Sequence, residues 1–144
     1  MGRYENKYAI YQLKHDDAGD ERRFMNYDWH IKKGITPKIE DYDLIYIGEL
    51  PSLIRNMNRT LEQIYEKFNL DHPADYRGYS LSVSDVVAVR NSGQLSCFYV
   101  DRWGFKELPD FLPKENPLRT AEMSTEDDLN MIRAAYFLSQ QISI

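Results

Sequence analysis

The side chains best suited to catalysis or binding lie in two short segments, residues 71–85 and a stretch that begins at Asp101. A histidine beside carboxylates can perform general acid–base catalysis when a cleft brings the groups together. In turns, however, aspartates more often accept hydrogen bonds from nearby backbone N–H groups, and an arginine–carboxylate pair fixes the loop. The titratable side chains concerned are His72, Asp75, Arg77, Tyr79, Asp85 and Asp101. We therefore expect turn residues here and assign no catalytic role.

A third interpretation makes the same two segments an exposed surface for partner recognition. Aromatic side chains and arginine dominate the energetics of protein interfaces, and both segments combine them with acidic residues. The predicted partner-binding residues are Asp75, Tyr76, Arg77, Tyr79, Asp101, Trp103 and Phe105. The partner expected for such a surface is a protein.

Nucleophilic, metal and phosphate sites have little support in the sequence. Ser80, Ser82 and Ser84 alternate with other residues as at a strand edge, and no Gly-x-Ser-x-Gly elbow occurs. Cys97 lies in an apolar run, so we expect a buried, inert thiol and not a thiolate partner for His72. The three histidines are too scattered for a zinc site, and no glycine-rich phosphate loop occurs. We expect a protein that is not an enzyme and that holds no metal or cofactor.

The composition describes one globular domain, with 42% hydrophobic and 28% charged residues in 144. The net charge of -5 removes the electrostatic attraction to phosphates, so we expect no non-specific binding to nucleic acid. Apolar runs fall short of the ~20 residues that span a bilayer, so no membrane contact is expected. The single cysteine suits a reducing compartment, which predicts a cytoplasmic protein.

Acidic residues are concentrated in three runs, at 16–21, 40–43 and 126–128. A negative surface can imitate a nucleic-acid backbone and steer a protein toward a basic cleft. The more common use of such runs is a solvated surface or a partner for a helix dipole. An accessory protein of a mobile element that inhibits a host nucleic-acid enzyme, an anti-defence role, is therefore the alternative function.

Hydrophobic periodicity predicts strands and one long helix. The predicted strands are Lys7–Leu13, Tyr42–Gly48, Asp85–Arg90, Gln94–Val100 and a short one within Gly104–Leu108, and the helix runs over Leu53–Asn69. The polar run His15–Asp20 predicts a turn. Between residues 21 and 33 two interpretations stay open, a strand through Arg22–Met25 or a short helix capped by Asn26 that ends before Gly34. The fold class is α+β, a single domain with a small, mostly antiparallel sheet covered by the amphipathic helix.

The last part of the chain changes character after Asp110–Leu112, which we expect to close against the core. A polar, proline-flanked stretch follows at Pro113–Pro117. Thr125 followed by Asp128 resembles a capping box, and the apolar residues beyond it predict an appended amphipathic C-terminal helix. Such a helix packs on the main core or forms a homodimer. We divide the chain into an α+β domain, residues 1–113, and a linker with the helix, residues 114–144.

Three stretches of sequence carry a family resemblance. They read DHPADYRGYSLSVSDVV at 71–87, FYVDRWGF at 98–105 and LPDFL at 108–112. Together with the strand at 7–13 and the end of the long helix, they resemble the YodL-like family of small bacterial domains, found in Firmicutes, many of them gut species. Trp103 stands where relatives more often have Phe, and Tyr79 where they often have His.

The resemblance implies a domain that occurs alone or as a module of large proteins on mobile elements, with no enzymatic activity attached. It leaves residues 113–144 unassigned. Residues and resemblance together predict a non-enzymatic cytoplasmic interaction or regulatory module of a bacterium or its mobile elements, which binds through the 75–79 and 101–105 loops.

Overall fold

A computed structural model of the chain describes residues 6–51 and 53–112. The strands are β1 (Lys7–Leu13), β2 (Tyr42–Glu49), β3 (Val86–Asn91), β4 (Gln94–Val100) and β5 (Phe105–Glu107). The helices are α1 (Asp17–Arg22), α2 (Tyr27–Lys32) and α3 (Met57–Leu70), with a single 3₁₀ turn at Ile39–Asp41. The predicted linker and C-terminal helix lie outside the described residues.

The five strands form one antiparallel sheet in the order β2-β1-β3-β4-β5. The central strand β1 pairs on both sides, so that Ala9 lies between Ile47 of β2 and Ala88 of β3. Because side chains alternate along a strand, Tyr8 and Ile10 face one side of the sheet while its odd-numbered residues face the other. The predicted α+β class is confirmed, and the strands predicted at Asp85–Arg90 and Gln94–Val100 correspond to β3 and β4, which pair as a hairpin.

Helix α3 covers one face of the sheet. Its buried residues Leu61, Ile64 and Phe68 recur at helical spacing and pack with Tyr8 and Ile10 in one core cluster. The helix begins four residues later than predicted, because the side chain of Asn56 accepts a hydrogen bond from Arg59 N and caps it there.

The other face is covered by shorter segments. Ile39 in the 3₁₀ turn and Phe111 near the end of the described chain are both buried in the second core cluster. The Phe111 ring makes edge-on contacts with Tyr11, at 5.4 Å between ring centroids, and with Tyr42, at 5.3 Å. Phe111 closes against the core, as the sequence predicts.

Two local predictions are wrong. The polar run after β1 is helix α1 and not a turn, because Asp16 accepts a hydrogen bond from Gly19 N and caps a first helical turn. The segment 80–84 is no strand, since Ser84 has φ +92° and turns the chain into β3. Of the two interpretations left open for residues 21–33, the helix capped by Asn26 is confirmed.

Candidate functional site

The loop that joins α3 to β3 is fastened from inside by Tyr76. Its side chain is only 5% exposed, so the prediction of an exposed partner-binding Tyr76 is wrong. The ring packs edge-on against Phe68, with 4.7 Å between centroids, and also contacts Tyr46. Burial of the Tyr76 ring between α3 and the sheet removes apolar area from water. This gain in free energy exceeds the cost of removing the hydroxyl group from water.

A glutamine of the central strand holds the same loop by hydrogen bonds. Gln12 Nε2 lies 3.2 Å from the Tyr76 hydroxyl, 3.1 Å from the Tyr79 carbonyl oxygen and 3.1 Å from Asp85 Oδ2. In return, Gln12 Oε1 accepts from Tyr79 N at 3.1 Å. The backbone at Tyr79 is thus fixed on both its polar groups, and the Gln12 amide is buried with its partners.

Position 78 has no room for a side chain, because the loop lies close to neighbouring side chains there. A Cβ built on it would lie 2.7 Å from Gln12 Oε1, from the Ile45 Cγ2 atom and from the Tyr76 hydroxyl. The glycine therefore permits a close approach of the loop to the sheet.

Asp85 closes the network at the start of β3. Its Oδ2 accepts from Ser82 N at 2.8 Å as well as from Gln12, which is the turn chemistry predicted for an aspartate. Burial raises the pKa of this carboxyl to about 7, against the opposing effect of its hydrogen bonds. The group is enclosed by the loop, and its hydrogen bonds serve the loop's conformation.

His72, Asp75 and Arg77 of the same loop are exposed. The His72 ring contacts the Tyr76 ring in a tilted arrangement, and Asp75 accepts a hydrogen bond from the Tyr46 hydroxyl at 3.2 Å. Arg77 donates to the Ala74 carbonyl oxygen at 3.3 Å. The predicted pairing of Arg77 with a carboxylate is therefore wrong among the described residues.

The second loop is a tight turn between β4 and β5. Asp101 N donates to the Gly104 carbonyl oxygen at 3.0 Å, and Asp101 Oδ1 accepts from Arg102 N at 2.9 Å. Gly104 has φ +89°, a conformation that glycine adopts without strain. Trp103 at the tip is 89% exposed, whereas Phe105 is half-buried against the α3 core.

Residues 23–27 touch both loops, although their sequence indicates no functional role. Phe24 N donates to Ser84 Oγ at 3.1 Å, and the Arg23 guanidinium lies over the Tyr79 ring, 6.0 Å from its centroid. At the other end, Tyr27 N donates to Asp101 Oδ1 at 3.1 Å. The structure thereby connects the two predicted loops through this segment.

Phe24 itself is 61% exposed and has φ +71°, which is costly for a residue with a bulky side chain. The Phe24 backbone N–H donates to the hydroxyl of buried Ser84, a residue that also has a positive φ. Tyr79, 55% exposed, is held by Gln12. We call the exposed rings of Phe24, Tyr79 and Trp103 the aromatic surface.

An open cleft of about 480 Å³ lies beside the second loop, between that turn and α3. Two predicted residues, Asp101 and Phe105, line it. The remaining lining consists of Glu62, Tyr65, Glu66, Val83, Val100, Arg102 and Gly104. The predicted site residues thus divide between a fastened loop, an exposed aromatic surface and this cleft.

Cys97 is buried on the sheet face that carries Phe111, whereas His72 lies against Tyr76 on the α3 side. Burial raises the pKa of the Cys97 thiol to about 12, so the thiolate is disfavoured. Residues 6–51 and 53–112 contain no cluster of three or more metal-ligating side chains. Within the same ranges, no helix is long and apolar enough to span a bilayer.

The family model of the YodL-like domain matches residues 7–111. The chain belongs to the YodL-like domain family. A second model, described as Domain of unknown function (DUF4316), matches residues 114–132. No curated protein and no solved structure matches the chain.

Proposed function

We propose that this YodL-like chain is a non-enzymatic interaction or regulatory module that binds a protein partner through the aromatic surface. The observation that carries the proposal is the exposure of Phe24, Tyr79 and Trp103, each attached to a rigid backbone anchor. Aromatic residues and arginine are enriched at the energetic centre of protein interfaces. Their ordering before binding lowers the entropic cost of association.

The strained backbone at Phe24 supports the same proposal. A non-glycine residue at positive φ persists only where its surroundings enforce it, and such residues cluster at functional positions. Here the buried Ser84 hydroxyl enforces it and leaves the Phe24 ring in solvent. A phenylalanine with no role outside the fold gains nothing from this arrangement.

The alternative, an acidic inhibitor that imitates nucleic acid, has weaker support. Two basic residues of α1 and its end interrupt the acidic runs: Arg22 pairs with Asp41 at 3.0 Å and Arg23 with Asp20 at 2.6 Å. The negative charge is therefore partly neutralised where the runs meet. We place the module in the bacterial cytoplasm, where the free, buried Cys97 thiol is stable.

The test is affinity capture from lysate of a Firmicute, the group that the family resemblance names. The wild type is compared with Tyr79→Ala/Trp103→Ala and with the control Leu53→Ala/Leu70→Ala, which removes two exposed apolar side chains elsewhere. Proteins held by the wild type and the control but lost from the first variant support the proposal. Equal retention by all three proteins overturns it, and capture that falls steeply with salt favours the acidic alternative.

A further inference from the structure

The cleft between α3 and the β4–β5 turn has two kinds of wall. Its apolar part is formed by the Tyr65 and Phe105 rings together with two valines, Val83 and Val100. Its acidic part includes Glu62 and Glu66, which stand one helical turn apart on α3 and so lie on the same side of the helix. A volume of about 480 Å³ admits one large side chain with its flanking backbone.

The charges around the cleft do not balance. Three carboxylates line it against a single cation, Arg102. Among the described residues, Glu62 accepts one hydrogen bond from Asn58 at 3.3 Å, and neither Glu62 nor Glu66 forms an ion pair. Asp101 Oδ1 accepts from two backbone N–H groups, which holds this carboxylate in the turn, whereas the glutamate side chains of the cleft project from α3.

An arginine side chain matches both walls at once. Its planar guanidinium stacks on aromatic faces, and its edge donates two parallel hydrogen bonds to a carboxylate. A lysine ammonium supplies the charge without the plane, and a purely apolar residue forms no ion pair with the two exposed glutamates. Arginine is also weakly hydrated for a cation, so its entry into a half-apolar cleft costs less than that of lysine.

We propose that this cleft binds an arginine side chain of the protein partner, stacked against Tyr65 and Phe105 and paired with Glu62 and Glu66. The inference rests on the proposed function, because Trp103 of the aromatic surface lies in the same turn as Arg102 and Gly104, which line the cleft. It specifies the chemistry of the partner: an arginine beside an apolar residue that contacts Trp103.

The probe is a blocked tripeptide, acetyl-Leu-Arg-Leu-amide, titrated into the ¹⁵N-labelled full chain and followed by NMR. We expect shifts in the Gly104 and Phe105 amides and in the Trp103 indole N–H. The citrulline counterpart keeps the shape and loses the charge, so its Kd should rise by about tenfold or more. Equal affinity for the citrulline peptide, or no shifts up to about 10 mM, overturns the proposal.

A pair of charge-matched variants separates a local site from general attraction. Glu62→Gln/Glu66→Gln should abolish the shifts, whereas Glu21→Gln/Glu49→Gln, two exposed positions outside the cleft, should leave them. Equal weakening by both pairs means long-range electrostatics and overturns the site. If Tyr79→Ala/Trp103→Ala loses a captured partner while the tripeptide gives no shifts, the interaction module stands and the arginine assignment alone fails.

Discussion

The loops at 71–85 and 101–104 have similar residue types and opposite structural uses. Both combine aspartate, arginine, glycine and a large aromatic residue. In the first, Tyr76 is turned inward and bonded to Gln12, so the loop is part of the core. In the second, the turn is closed by its own backbone, and Trp103 is left in solvent.

The difference shows that the presence of an aromatic residue in a loop does not reveal whether its ring is buried. The contacts that hold the loop decide this. A loop that crosses the open end of a sheet can bury its aromatic ring against a helix, as Tyr76 does against Phe68. At the β4–β5 turn, Phe105 packs against the α3 core while Trp103 at the tip stays exposed. The first loop contributes stability through buried Tyr76 and leaves only Tyr79 of its two central tyrosines exposed, whereas the second presents Trp103.

Removal of the buried Tyr76 ring should have the largest effect on stability. Tyr76→Ala deletes a buried aromatic side chain and its hydroxyl partner to Gln12. The variant should lower the free energy of unfolding by about 3–5 kcal/mol. Urea denaturation followed by circular dichroism measures the loss. Tyr79→Ala, in the same loop but exposed, is the control and should cost less than about 1 kcal/mol. Similar losses for both would show that Tyr76 is not an anchor.

The two glycines test the comparison at the level of the backbone. Gly78→Ala forces a methyl group into the contact of Gln12 with Tyr76. Such overpacking should cost about 2 kcal/mol. Gly104→Ala meets open space and has only its positive φ against it. That conformation should cost about 1 kcal/mol.

Asparagine variants distinguish the steric clash expected at Gly78 from the unfavourable φ at Gly104. Gly104→Asn should recover part of the loss, since asparagine tolerates positive φ, whereas Gly78→Asn should be worse than alanine because it is larger. Thermal melting of the four variants ranks them, and the reverse order would contradict the assignment.

Asp85 makes the fastened loop sensitive to pH. Its folded-state pKa of about 7 lies above the ordinary 3.8, so the folded protein binds this proton more tightly than the unfolded chain does. The Asp85 contribution to stability is therefore largest below pH ~4 and is lost as the pH rises toward 7. Asp85→Asn imitates the protonated form, since its carbonyl oxygen can still accept from Ser82 N and Gln12.

We expect Asp85→Asn to be more stable than the wild type at pH ~8, with a difference that shrinks toward pH ~4. Because all other titrating groups are shared, the difference between the two denaturation curves isolates Asp85. A variant that is less stable than the wild type at pH ~8 but matches it at pH ~4 would show that the carboxylate is needed as a charged acceptor.

The sequence was sufficient where order is local. The predicted bounds of β1, Lys7–Leu13, and of β4, Gln94–Val100, are those observed, because strand residue types are read over a few positions. Helix α1 was missed since Asp16 is equally suited to a turn and to a helix cap, and six residues give no periodicity to decide.

The site depended on contacts that no window of sequence contains. Tyr76 is bonded to Gln12, 64 residues away, and the segment 23–27 meets Ser84 and Asp101 over separations of 60 and 74 residues. Burial of Tyr76 and exposure of Phe24 follow from these long-range contacts. The sequence could name the residue types of an interface, and the fold decides which of them reach the surface.

The smallest expected effect on stability is also the sharpest test of function. Trp103 contributes little buried area at its 89% exposure. Trp103→Ala should therefore change the free energy of unfolding by less than about 0.5 kcal/mol. Partner capture should nevertheless be lost, since an exposed tryptophan on a rigid turn is the typical energetic centre of an interface. Trp103→Phe, which keeps an aromatic ring on the turn, should restore most of the capture. Loss of stability together with capture would instead make Trp103 a structural residue and move the binding role to Phe24 and Tyr79.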